Sequence, residues 1–136
     1  MTPGGGTRPS RPRRPARRDD GTADLAAALA ACSARKAVDG LVLDLRGISD
    51  ATDHFVIVSG TSDTHARAIA EHVLEVMRER GARAHHVEGL SAGRWVLLDF
   101  VDFVVHVFHP ALREFYQLER LWGEAPRRPL EAGEEA

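Results

Sequence analysis

The sequence predicts an α/β fold, a mixed sheet of about five strands flanked by helices. Three observations predict it. Phe55-Val56-Ile57-Val58 is an unbroken β-branched and aromatic run, as in a strand buried on both faces. Ile69, Val73, Val76 and Met77 recur at +4, +7 and +8, one apolar stripe of a helix. Residues 94–100 and 103–109 are two apolar runs separated by a very short connection, which reads as a hairpin.

Taken in order, residues 22–38 form the first helix. Thr22 is a candidate N-cap, Leu25, Leu29 and Cys32 share one face, and Gly40 is the expected stop. Leu41 to Leu45 make a short strand carrying Asp44, and residues 46–50 are turn-rich. The strand at 55–58 leads through Ser59-Gly60-Thr61-Ser62-Asp63 into a helix over about 64–80, with Gly81 as its C-terminal stop. A third strand spans about 84–87, a loop follows over 88–93, and then comes the hairpin. The strand at 55–58, its helix and the third strand have the length of a crossover unit. Pro110 suits the first position of a last helix, because its missing N–H would have no intrahelical partner there. Ala111, Phe115, Leu118 and Trp122 share a face of that helix and Gly123 ends it.

The organisation along the chain is tail, domain, tail. Residues 1–21 are Pro-, Gly- and Arg-rich and offer almost nothing to bury, so they are expected to be disordered. Residues 22–123 form the domain, and 124–136, rich in Pro, Arg and Glu, are expected to fray. With 136 residues and 43% apolar content, the chain supports one domain with a real core. No apolar run reaches the roughly 18 residues of a membrane helix. The single cysteine, Cys32, excludes an intramolecular disulfide and a Cys-rich zinc ribbon. An unpaired thiol suits a reducing compartment, and a cytoplasmic location is expected.

Charge is unevenly placed. Of the 18 basic residues, six arginines lie in residues 1–18, which contain no acid; the other 12 share residues 19–136 with all 20 acids, a net of −8. An acidic body argues against a main surface that coats nucleic acid and favours a basic protein partner. The arginine tail is a candidate RNA-touching arm.

Four constellations merit weighing for chemistry. The loop 59–63 precedes a helix N-terminus, where phosphates bind, but it lacks the lysine of a P-loop and the glycines of a dinucleotide fingerprint. The plainer reading is a turn in which Ser62 or Asp63 caps the helix. Asp99 and Asp102 at the hairpin end, with Asp44 on another strand, are the candidates for a magnesium-dependent nucleotidyltransferase-like enzyme. Their spacing of three across a turn does not suit a shared strand face, and no Lys- or Arg-bearing Gly-Ser loop for a triphosphate is evident. The histidines, among them His65 and His72 on one helical face and His106 and His109 on opposite strand faces, form no zinc motif. Cys32 lies on an apolar stripe and reads as core. No cofactor or metal is called for. The hairpin is apolar on both alternating sets, so one set faces the core helices and the other needs a helix, a dimer mate or a partner. Trp95, Leu97 and Asp99 share a face; Trp95 is either core or a binding hot spot.

Taken together, Asp44-Leu45-Arg46, Asp53 through Ser62, Arg67-Ala68-Ile69-Ala70, Val87-Glu88-Gly89 and Trp95 through Phe100 resemble the Iojap-related ribosomal silencing factor family. Asp102, Val105-His106-Val107-Phe108, Arg113 through Tyr116 and Leu118 through Trp122 continue the likeness in order and spacing over about residues 22–123. The resemblance implies a nucleotidyltransferase-like fold without catalysis. It also implies a translational repressor that binds the large ribosomal subunit through ribosomal protein fourteen and blocks subunit joining. Some members of the family form homodimers. On that reading the partner-binding surface is expected around Trp95, Leu98, Asp99, Asp102, His106 and Glu119, with Trp95 and Leu98 on opposite strand faces. The chain departs from the family at two places. Val101-Asp102 stands where Gly-Asp is usual, and His65 where Gln is frequent. Valine disfavours positive φ, so a different hairpin turn is expected.

Overall fold

The structure is a computed structural model that describes residues 20–116, 123 and 125–130. The elements are α1 (Asp20–Ala34), β1 (Val38–Asp44), β2 (His54–Ser59), α2 (Asp63–Glu79), β3 (His86–Glu88), β4 (Trp95–Asp99), β5 (Phe103–Phe108), α3 (Pro110–Tyr116) and β6 (Arg127–Pro129). They build one mixed sheet in the order β3-β4-β5-β2-β1-β6. β2 and β5 run parallel, and every other neighbouring pair is antiparallel. The unit β2–α2–β3 is therefore a crossover that skips two strands, because the β4–β5 hairpin inserts between its ends.

The sheet has six strands where about five were expected. The sixth comes from residues 127–129, expected to fray. They pair with β1 through Leu41, Val42 and Leu43, and Leu130 N–H donates to the Gly40 carbonyl at 2.9 Å. Gly40 does not stop the helix. It lies in β1, where a Cβ would sit 2.6 Å from Leu130 Cβ, so its lack of a side chain is what lets the C-terminal segment close on the sheet. α1 stops earlier, at Ala34, through a Schellman pattern: Lys36 N–H to Ser33 O at 2.9 Å and Ala37 N–H to Cys32 O at 3.0 Å. Lys36 takes the left-handed position (φ 60) that a glycine commonly fills. Thr22 falls inside α1 rather than capping it. α2 ends as its sequence indicates, with Gly81 at φ 83 and Ala82 N–H bonded to Met77 O at 2.9 Å.

The two faces of the sheet differ. α1 and α2 cover one face, burying Leu29, Cys32, Ile69, Val73 and Met77 against Val42, Val56, Val58, Val96, Leu98, Val105 and Val107. Arg80 Nε pairs with Asp24 Oδ1 at 2.9 Å and ties the end of α2 to α1. The opposite face carries a smaller cluster of Leu43, Leu45, Ile57, Phe108 and Ala125, with Leu41, Phe55, Trp95 and Leu112 half-buried against it. All six residues of β5 are buried, as a strand sandwiched between two layers requires.

Candidate functional site

The hairpin β4–β5 positions the residues of interest. In β4, burial alternates: Val96 and Leu98 point to the helices, and Trp95, Leu97 and Asp99 lie half-buried on the other face. Leu98 is 0% exposed and packs in the helix-side core. It therefore cannot contact a partner, and its expected place in a binding surface is corrected to a core role. His106 is also corrected, since it is only 4% exposed and lies beneath the surface. The Trp95 indole N–H donates to His106 Nδ1 at 3.1 Å, and the Trp95 ring lies 5.0 Å from that of Phe108. Phe55, from the neighbouring strand β2, meets the His106 ring edge-on at 4.6 Å. Burial pushes the His106 imidazole pKa down to about 4.

Asp99 and Asp102 sit together at the far end of the hairpin. Four residue steps along the strand separate Asp99 from Trp95, about 13 Å. The Asp99 carboxylate accepts the Val101 N–H at 2.8 Å, and Thr52 Oγ1 donates to the Val101 carbonyl at 2.9 Å. These bonds hold Val101 at φ 73, so the turn keeps a left-handed residue despite the valine, contrary to the expectation of a different turn. The Asp102 carbonyl accepts the N–H groups of Asp53 and His54, at 3.0 and 3.3 Å, locking the hairpin end to β2. Asp44 is committed elsewhere. Arg46 grips its carboxylate with Nη2 at 2.6 Å and Nε at 2.9 Å and holds the pKa down at about 2. Among the described residues no three His, Cys, Asp or Glu side chains gather into a group that could hold a metal ion. Glu119 lies outside the described residues, as do Leu118 and Trp122.

The loop 59–63 is a cap. Ser62 Oγ accepts the His65 N–H at 3.0 Å. His65 Nδ1 accepts the Thr61 N–H at 2.8 Å, while Nε2 donates to the Arg35 carbonyl at 2.7 Å, bridging the start of α2 to the end of α1. Two of the amides a phosphate would use, those of Thr61 and His65, are thus occupied from within the chain. Cys32 is fully buried, which raises its thiol pKa to about 12 and leaves it a packing residue. Phe55 was missed as a neighbour of His106, because only the β2–β5 pairing brings it there.

Comparison with known proteins places this geometry. Residues 19–136 match the sequence model of the family described as "Ribosomal silencing factor during starvation". A Bacillus subtilis protein named ribosomal silencing factor RsfS is 45% identical over 109 residues, 80% of this chain and 92% of that protein. The maize protein Iojap, chloroplastic, is 34% identical over 95 residues, 70% of this chain and 41% of that one. A crystal structure of a Chromobacterium violaceum protein superposes with a TM-score of 0.72 at 33% identity, covering 74% of this chain and 83% of its own. A Bacillus halodurans structure does so at 0.67 and 40% identity, covering 74% and 91%. The chain belongs to the ribosomal silencing factor family.

Proposed function

We propose that this chain represses translation by binding the large ribosomal subunit through ribosomal protein fourteen and occupying the side that meets the small subunit. Family membership supports the coarser part, a ribosome-associated, regulatory role in silencing translation. A mouse relative, 38% identical over 74 residues (52% of this chain, 32% of that protein), is named for assembly of the mitochondrial large ribosomal subunit. The observation that carries the finer part is the second sheet face, where Trp95 and Leu97 are half-buried and Asp99 lies in line with them.

On this reading Trp95 supplies apolar contact, and Asp99, Asp102 and Glu119 face cations of a basic partner. A body of net charge −8 steers that encounter. Interfaces of roughly 800 Å² per partner suffice for specific binding, and a patch about 13 Å long fits inside one. Repression then needs occupancy and no turnover. Asp99 serves its turn and Asp44 serves Arg46, which favours this reading over phosphoryl transfer. Homodimer formation and RNA contact by the arginine tail are further parts of the proposal.

The test is subunit joining with purified ribosomes, followed by light scattering and gradient sedimentation. The protein is expected to sediment with isolated large subunits and to lower the yield of joined particles. Unchanged joining at saturating protein would refute the proposal. Deleting residues 1–18 is expected to flatten the salt dependence of binding if the tail meets RNA. An unaltered slope would reject that contact. Sedimentation of the protein alone decides the dimer.

A further inference from the structure

We propose that His106 is a positioning residue: a neutral imidazole with its proton on Nε2 that accepts the Trp95 indole N–H and fixes that ring in the orientation the docking face presents. The inference rests on the reading of that face as the ribosome-binding surface.

An indole nitrogen can only donate. At 3.1 Å from Trp95 Nε1, His106 Nδ1 is therefore the acceptor and carries no hydrogen. A neutral ring then bears its hydrogen on Nε2, and Nε2 is buried with no hydrogen-bond partner among the described residues. The neighbours on that face are apolar: Ile57 and Leu97 lie directly across the flanking strands, and the rings of Phe55 and Phe108 stand at 4.6 and 6.4 Å. Burial disfavours the charged form, so the acceptor persists at neutral pH.

An orphan donor in an apolar setting is a cost to the fold, and a leucine there would pack without it. What the imidazole provides and leucine cannot is an acceptor for Trp95. A buried histidine that touches no partner therefore acts through the tryptophan above it. Without the bond, the indole keeps its tilted ring contact with Phe108 but loses this hydrogen bond, which orients it.

The test uses the full chain and the variants His106→Leu and His106→Asn; asparagine keeps an oxygen acceptor near the position of Nδ1. Long-range proton–nitrogen NMR at pH 7 is expected to show the Nε2–H tautomer in the wild type. The Trp95 indole proton signal is expected to move in His106→Leu and to return towards the wild-type position in His106→Asn. Binding to purified large subunits is expected to weaken about three- to tenfold in His106→Leu, the scale of freeing one interface side chain, and to recover in His106→Asn. The thermal midpoint of His106→Leu is expected to stay level or rise, which a purely structural role would not produce together with weaker binding. An Nδ1–H tautomer, an unmoved indole signal, or wild-type binding by His106→Leu would each overturn the proposal. If the wild type itself fails to bind large subunits, the functional reading falls, and the tautomer and indole signals still decide whether His106 sets the ring.

Discussion

Acidification from pH 7 to pH 5 should destabilise the wild type more than the His106→Leu variant, by an amount the structure sets. The unfolded imidazole titrates near 6.5, whereas in the native state burial lowers it to about 4. The unfolded state therefore binds a proton that the native state refuses. The stability contribution is present above pH 6.5 and is lost as pH falls from 6.5 towards 4. Linkage over that interval gives about 2 kcal/mol lost between pH 7 and pH 5, and about 3 kcal/mol once pH reaches the native value. For a domain of about 100 residues, 2 kcal/mol corresponds to a fall of roughly 8–15 °C in the thermal midpoint. Denaturant titrations at both pH values, on wild type and His106→Leu, measure the difference. His54 is also held low by burial and adds loss of the same sign, but it is present in both proteins and cancels. Equal losses in the two proteins would show that burial does not depress the native pKa of His106.

Three other outcomes are expected. Leu98→Ala should cost about 2–5 kcal/mol, since Leu98 is sealed in the helix-side core, while the variant that remains folded should bind large subunits as the wild type does. Gly40→Ala places a methyl against Leu130 and should loosen β6, seen as faster amide exchange at Leu130 and along the β1 edge, with the β2–β5 ladder unaffected. Trp95→Ala combined with Asp102→Lys should weaken large-subunit binding by tenfold or more while thermal unfolding stays cooperative, because Trp95 is half-buried at the rim of the smaller cluster.

The elements were legible where one physical signal dominates. The β2 run, the α2 stripe and the Gly81 stop appear at or near their expected places. What local pattern does not encode is which strands become neighbours. The parallel β2–β5 pairing, which brings Phe55 to His106, is decided by tertiary packing. The sixth strand was illegible for the same reason: a Pro- and Arg-rich stretch has little strand character until β1 offers an edge and Gly40 offers room. Alternation showed that Trp95 and Leu98 oppose each other, yet only the position of α1 and α2 shows that Leu98 is the inward one. Val101 marks the limit of backbone preference. Its left-handed conformation is held by an Asx turn from Asp99 and by Thr52, and the second contact, 49 residues away in sequence, is one that local turn preference does not contain.

The claim that this protein works by occupying a surface is tested most directly by titrating it into purified large subunits before adding small subunits and following the formation of joined ribosomes. Joining is expected to fall in proportion to bound protein and to recover when the protein carries Trp95→Ala with Asp102→Lys. Large subunits saturated with the wild-type protein that still join at the normal rate would contradict the claim.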